Sequence, residues 1–174
     1  TNVVPALAHL SVAPQPRADL EIAIWDSVST ATKMPSPPWS VEDYMARGEI
    51  SNHSGKAGID VAYHPGSDML SLLQANAGTA MLWTHDANQC PYWEQAAPLR
   101  SILHWWCSRR NQQLAHGAAV GTSGGAVLLT GKGGSGKSTT ALSALLAGMD
   151  YIGDDYVLCD LAGVQPRVHS LFNS

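Results

Sequence analysis

Charged residues and long apolar runs are both scarce in this 174-residue chain, and each scarcity disfavours a class of protein. Charged residues make up 14% of the chain, the net charge is −4, and no basic run is longer than Arg109-Arg110. A nucleic-acid groove and an anionic membrane surface are therefore disfavoured as partners. No stretch approaches the roughly eighteen consecutive apolar residues of a membrane-spanning helix, and the N-terminus has no basic-then-apolar signal pattern.

Cysteine is also rare. The three cysteines, Cys90, Cys107 and Cys159, are odd in number and have no metal-type spacing. This usage predicts reduced thiols in a cytoplasmic protein. Apolar residues make up 45% of the chain, which is typical of a globular protein and not of a disordered one.

Alternating or Gly-bounded apolar segments at residues 20–26, 57–66 and 78–86 predict three strands, and their succession along the chain predicts antiparallel pairing. The three prolines within residues 35–38 predict an extended loop. Residues 99–110 predict the first long helix. Its apolar stripe is Leu99, Ile102, Leu103 and Trp106.

After His116 two short apolar segments joined by the turn TSGG predict a hairpin, and residues 137–147 predict a second helix. The buried stripe expected for this helix is Leu142, Leu145, Leu146 and Met149. The predicted fold class is α/β, with a mixed sheet and a P-loop strand–loop–helix unit in the C-terminal half and antiparallel strands in the N-terminal half. We expect an N-terminal part over residues 1–113 and a kinase-like core, expected to be incomplete, over 114–174, with packing into a single domain left open.

Residues 131–138 read GKGGSGKS and match the Walker A pattern G-x-x-x-x-G-K-[ST] at every fixed position. Glycines let successive backbone N–H groups point inward around phosphate oxygens, and the following helix directs its free N–H groups and positive dipole end to the same anion. A Gly-rich hairpin turn is the alternative interpretation. The predicted nucleotide-binding residues are Gly131, Lys132, Gly133, Gly134, Ser135, Gly136, Lys137, Ser138 and Thr139. The expected ligands are ATP and Mg²⁺, with Lys137 near the β- and γ-phosphates and the Ser138 hydroxyl on the metal.

Asp154 and Asp155 follow one helix and one tight turn after the loop. One carboxylate would hold Mg²⁺, for which we name Asp155, and the other would accept a proton from an attacking hydroxyl. Neighbouring side chains on a strand point to opposite faces, so both reach one site only where the strand ends. A solvated Asp-Asp turn is the alternative.

The segment from Leu114 to Asp160, LAHGAAVGTSGGAVLLTGKGGSGKSTTALSALLAGMDYIGDDYVLCD, resembles the catalytic core of the HPr kinase/phosphorylase family. The shared pattern is a strand histidine, a short hairpin, the phosphate loop, one helix and a hydrophobic–Asp–Asp strand end. The resemblance implies a catalytic set of His116, Lys137, Asp154 and Asp155; without it, His116 is typical of a strand histidine satisfied by the backbone. The chain departs from the family pattern at Lys132, Gly133 and Thr139.

The sequence thus predicts an ATP-binding kinase that transfers the γ-phosphoryl group of Mg·ATP to a hydroxyl of a protein, peptide or small molecule. The alternative is a non-catalytic nucleotide- or phosphate-binding module that acts within a homo-oligomer or with a partner. A third interpretation is an interaction protein with an exposed Trp-rich face. The tryptophans outside the main helix are Trp25, Trp39, Trp83 and Trp93.

Overall fold

The computed structural model describes residues 4–173 and is mostly β-structure, with nine strands in two sheets. The chain divides into two compact units. The first unit comprises Ala13–Gln95 and Leu99–Trp106. The second comprises, within the described residues, positions 4–12, Ala96–Pro98 and positions 107–173.

The helices are short. They are α1 (Val4–Leu7), α2 (Ser27–Thr30), α3 (Tyr92–Ala96), α4 (Arg100–Ser108) and α5 (Lys137–Leu146). None of the helices described within residues 4–173 combines the length and apolar character that a bilayer crossing requires.

The first unit contains a four-stranded mixed sheet. Its strands are β1 (Glu21–Asp26), β2 (Ile59–His64), β3 (Met69–Gln74) and β4 (Thr79–Thr84), in the order β1-β4-β3-β2. Strands β2, β3 and β4 form an antiparallel meander, and β1 adds to β4 in parallel, with Glu21 opposite Thr79. The predicted antiparallel pairing of the three segments is therefore wrong. Strand β1 is parallel to β4, and β2 and β4 do not pair with each other but run in the same direction on either side of β3, which the pattern missed.

The core of the first unit contains the aromatic residues that the sequence alternative assigned to the surface. Trp83 is buried with Ile50, Val61 and Leu70, and its indole N–H donates to Ser27 Oγ at 2.8 Å. Trp25 and Trp39 pack against this cluster. Of the four tryptophans outside α4, only Trp93 is exposed, so an exposed Trp-rich face is not present in the described chain.

The second unit contains a five-stranded sheet that is antiparallel throughout. Its strands are β5 (Gln112–Thr122), β6 (Gly125–Thr130), β7 (Asp150–Gly153), β8 (Tyr156–Asp160) and β9 (Arg167–Ser170). The order is β6-β5-β8-β9, with β7 also paired to β5. Strands β6 and β7, which flank α5 in the chain, do not pair with each other, since each pairs with β5.

The predicted fold class is therefore wrong. The chain is mostly β, the C-terminal sheet is antiparallel instead of mixed, and the parallel pair lies in the N-terminal half. What the pattern indicated as an α/β unit is one ten-residue helix set against an antiparallel sheet. The apolar runs of the C-terminal half mark strands correctly, but periodicity carries no information about whether strands pair in parallel or antiparallel.

Both predicted helical stripes match the buried faces only in part: Leu99 and Ile102 are buried and Met149 packs against the core as predicted, but the other members differ. In α4 the buried indole is Trp105, which donates to Glu49 Oε1 at 3.0 Å, whereas Trp106 is only partly buried. In α5 Ala141 is fully buried and Ala144 packs beside it, while the three leucines of the expected stripe are exposed. Alanine allows a helix backbone to lie close to a sheet, so the helix turns its small residues inward.

Leu73 of β3 tests the core of the first unit. Its side chain is 0% exposed, so Leu73→Ala removes buried methyl groups and leaves a cavity, which we expect to lower the free energy of unfolding by about 2–5 kcal/mol. The control Val41→Ala truncates a side chain that is 85% exposed, and its change should stay within about 0.5 kcal/mol. Urea unfolding followed by tryptophan fluorescence measures both. Equal losses would contradict the assigned core.

Candidate functional site

Strand register brings the predicted site residues to one level of β5. Gly117 lies opposite Thr130, the last residue of β6, so His116 is beside the start of the loop at residue 131. On the other side of β5, His116 lies opposite Tyr156, which directly follows the Asp pair. The loop, the histidine and the two aspartates therefore converge from three separate places in the sequence.

Gly117 is needed at this crossing because the neighbouring backbone is close. A Cβ at this position would lie 2.6 Å from the carbonyl oxygen of Leu129, which is shorter than any normal contact. The Gly117 N–H donates to the Asp155 carbonyl at 3.1 Å. One glycine thus lets β6 approach from one side and ties the Asp pair to β5 from the other.

Residues 131–136 join the end of β6 to the start of α5, and the loop holds the Lys137 ammonium in place. Lys137 Nζ donates to the carbonyl oxygens of Gly131 at 3.1 Å and Lys132 at 3.2 Å. An ammonium has three N–H donors, so one is left for a ligand. No carboxylate in the described chain forms an ion pair with Lys137. Its positive charge is therefore fixed in position and not neutralised by an acidic neighbour.

The N-terminus of α5 presents further donors. Gly136 is the N-cap, with a φ of 87° that disfavours any side chain, and it provides no side-chain cap. The first helical hydrogen bond runs from Thr140 N–H to the Gly136 carbonyl at 2.9 Å. The N–H groups of Lys137, Ser138 and Thr139 therefore have no partner within the helix, and they are the groups that an anion would contact.

Asp154 and Asp155 occupy a bend between β7 and β8, two strands that pair with successive parts of β5. Asp155 has a φ of 62°, an unusual conformation for a residue with a side chain. The bend is held by its own groups, since Asp155 N–H donates to Asp154 Oδ1 at 2.8 Å and Tyr156 N–H donates to the Asp154 carbonyl at 2.8 Å. The strand alternation that would separate two adjacent side chains does not apply to such a bend.

His116 and Asp155 form a direct pair. His116 Nε2 lies 3.2 Å from Asp155 Oδ1, and the two side chains are 53% and 48% exposed. The imidazole stacks on the Tyr156 ring, with centroids 5.1 Å apart and an interplanar angle of 22°, and Phe172 meets that ring edge-on. The arrangement is an oriented imidazole–carboxylate pair open to solvent, a combination that can accept and hold a proton.

Sequence reasoning missed the two tyrosines beside the Asp pair. The Tyr156 ring stacks on the His116 imidazole, because the two residues lie opposite each other in the β5–β8 ladder. Burial, together with the negative charge of Asp154, raises the pKa of the Tyr151 phenol. The signal available in the sequence was the spacing Y-x-x-D-D-Y, which puts an aromatic ring on each side of the bend.

A divalent metal at this site would need phosphate oxygens of a bound nucleotide as additional ligands. Within the described residues there is no group of three or more His, Cys, Asp or Glu side chains that could hold an ion. The Ser138 hydroxyl and the carboxylates of the Asp pair are oxygen donors, the class Mg²⁺ prefers, and Mg²⁺ commonly keeps several waters and phosphate oxygens as ligands. The residues present fit Mg²⁺ chemically, as part of a shared shell with a phosphate.

No protein-family model matches this chain, and no curated protein matches its sequence. The resemblance to HPr kinases therefore rests on the quoted motifs alone.

Gly117 also gives a test of the geometry. In Gly117→Ala the new methyl group meets a backbone oxygen at 2.6 Å, and we expect a loss of about 1–3 kcal/mol in unfolding free energy, more than the about 0.4–1 kcal/mol gained from the less flexible unfolded chain. The matched control is Gly124→Ala in the same hairpin, where the nearest atom is 3.7 Å away and no loss is expected. Thermal unfolding compares the two. A stable Gly117→Ala protein would show that β6 does not approach β5 this closely.

Proposed function

We propose that this chain binds a nucleoside triphosphate with Mg²⁺ through residues 131–139 and transfers its γ-phosphoryl group to a hydroxyl of a protein, peptide or small molecule. The observation that carries the proposal is the Lys137 ammonium, held by two loop carbonyls with one N–H left over and no acidic partner in the described chain. An ammonium held in this position with one N–H donor open can bind an anion directly.

Three features support a phosphate as that anion. The loop satisfies every fixed position of the Walker A pattern. The free N–H groups of residues 137–139 and the helix dipole act at the same place as the ammonium. From residue 117 to residue 149 the sequence has two lysines and no acidic residue, so nothing on the hairpin, loop or helix repels phosphate.

The transfer step is assigned to the chain's own groups. Asp155 accepts the proton of the attacking hydroxyl, and His116, 3.2 Å from it, orients that carboxylate. Asp154 holds the bend by accepting the Asp155 N–H. Lys137 and the α5 N–H groups bind the phosphate oxygens, which fixes the phosphorus for in-line attack. Ser138 and Asp154 would hold Mg²⁺, which would neutralise phosphate charge, and Asp155 thus takes the role of base in place of the metal role expected for it from the sequence.

The reducing cytoplasm is part of the same proposal. All three cysteines are free, and burial raises the pKa of the Cys90, Cys107 and Cys159 thiols. Thiols of raised pKa are poor nucleophiles, which suits a structural role in a compartment that keeps them reduced.

Lys137 decides whether the loop binds nucleotide. We expect isothermal titration of the chain with Mg·ATP to give a saturable heat, and Lys137→Ala to weaken the affinity by about 10- to 150-fold, since a hydrogen bond to a charged group contributes about 1.5–3 kcal/mol. The control is Lys33→Ala, an exposed lysine in the proline-rich loop of the other unit, which should bind like the unchanged chain. The absence of heat with ATP, ADP, GTP and pyrophosphate would refute nucleotide binding.

Asp155 decides whether bound nucleotide is turned over. With water as the probe acceptor, release of phosphate from Mg·ATP should fall by about 10²- to 10⁴-fold in Asp155→Asn while ATP affinity changes little, because the amide cannot accept the proton. Asp150→Asn, an exposed acid at the start of β7, is the control and should keep full activity.

Tight ATP binding without turnover in the unchanged chain would favour the alternative function, a non-catalytic nucleotide-binding module. Equal turnover in Asp155→Asn would remove Asp155 from the transfer step.

A further inference from the structure

The phosphate loop contains a second lysine, Lys132, in addition to Lys137. Between residues 117 and 149 these are the only charged side chains, and both lie within residues 131–138. Lys132 is also a position at which the chain departs from the HPr kinase pattern, so the resemblance assigns its side chain no role. Two positive charges thus share one short loop with no acid between them.

The Lys132 backbone is fixed, whereas its side chain is free. Its carbonyl oxygen accepts hydrogen bonds from the Lys137 ammonium and from the Ser135 N–H, each at 3.2 Å. The side chain is exposed, and in the described chain it forms no hydrogen bond, ion pair or ring contact. All three N–H donors of the Lys132 ammonium are therefore open to a ligand, compared with one at Lys137.

Any phosphate oxygen that Lys137 binds lies within reach of the Lys132 ammonium. Lys137 Nζ is 3.2 Å from the Lys132 carbonyl oxygen, which is about 2.4 Å from the Lys132 Cα. An oxygen bound by Lys137 at about 2.8 Å therefore lies at most about 8.4 Å from that Cα. An extended lysine places its Nζ about 6 Å from its Cα and can bind an oxygen about 9 Å away.

The loop also leaves room for this contact. A Cβ placed on Gly133, Gly134 or Gly136 would meet no atom within 4 Å. Open space therefore borders the loop at three of the positions that follow Lys132, and a lysine side chain or a polyphosphate can occupy it.

The charge of the expected ligand accounts for a pair of lysines. At neutral pH a nucleoside triphosphate carries about four negative charges and a diphosphate about three, and Mg²⁺ offsets about two of them. The Lys137 charge balances what is left on a diphosphate, whereas a triphosphate needs one further cation. Among the side chains of the loop, only Lys132 can supply it.

We propose that the Lys132 ammonium binds the terminal phosphate of the nucleoside triphosphate and thereby makes the loop select triphosphates over diphosphates. The proposal rests on the nucleotide binding proposed above and adds the residue that recognises the γ-phosphate. The Lys132 charge also offsets the charge of that group during transfer. Because the γ-phosphoryl group leaves with the acceptor, the diphosphate product loses the Lys132 contact and dissociates more readily.

Isothermal titration of the whole chain tests this assignment, with Mg·ADP and with the Mg²⁺ complex of the β,γ-imido analogue of ATP, which resists transfer. Lys132→Gln removes the charge and keeps the carbonyl that accepts from Lys137. The affinity for the ATP analogue should fall by about 10-fold or more, because a charge-assisted contact is lost, while the affinity for ADP falls by less than about 3-fold. Lys132→Arg keeps the charge and should keep the preference for the triphosphate.

The ratio of the two affinities is the readout, since damage to the loop would weaken both ligands alike. The matched control is Lys33→Gln, the same change at an exposed lysine of the other unit, which should leave both affinities unchanged. Equal losses for both ligands in Lys132→Gln, or no loss for either, would overturn the assignment and leave nucleotide binding intact. No heat from the unchanged chain with either ligand would refute nucleotide binding itself, and the role of Lys132 with it.

Discussion

Strand β5 is the element on which the second unit depends, because its eleven residues serve different partners in its two halves. Residues 112–116 pair with β8, and residues 117–122 pair with β6, with β7 on the opposite side. The change of partner falls at His116 and Gly117. That is where β6 gives way to the loop and where the break between β7 and β8 leaves room for the Asp pair. The candidate site therefore forms at the point where β5 changes from pairing with β8 to pairing with β6 and β7.

The local charges follow from this arrangement. The loop side of the crossing carries Lys132 and Lys137 and no acid, while the other side carries Asp154 and Asp155. Lys137 is held by backbone carbonyls and has no carboxylate partner, so the two sides do not neutralise each other directly. A phosphate on the loop would supply the missing negative charge, and a cation between the phosphate and the carboxylates would supply the missing positive charge. A site with lysines on one side and carboxylates on the other can bind an anionic substrate and its metal ion together, each next to the opposite charge.

Local patterns in the sequence predicted the elements well where one face is buried, and less well elsewhere. The alternating segment at residues 20–26 appears as β1, and the helix start at Lys137 was placed correctly. Strand β3 was missed because its sequence MLSLLQ does not alternate. Both of its faces are covered, so apolar residues stand on both faces of the strand, interrupted here by the buried Ser71. The Walker A spacing and the Asp pair could be recognised from the sequence alone. The His116–Asp155 contact and the stacking of Tyr156 on His116 depend on strand register, and short stretches of sequence do not determine that register.

The misplaced stripe on α5 shows why composition alone does not identify a buried face. Leucines at i, i+3 and i+4 ordinarily mark the core side of a helix, yet here Ala141 and Ala144 face the sheet. The helix begins at the loop, and its first turn is fixed by Lys137, whose ammonium bonds back to Gly131 and Lys132. Once that turn is set, the rotation of every later residue about the helix axis is determined. The geometry of the loop therefore decides which side chains reach the sheet, and the leucines are left on the outer side of the helix.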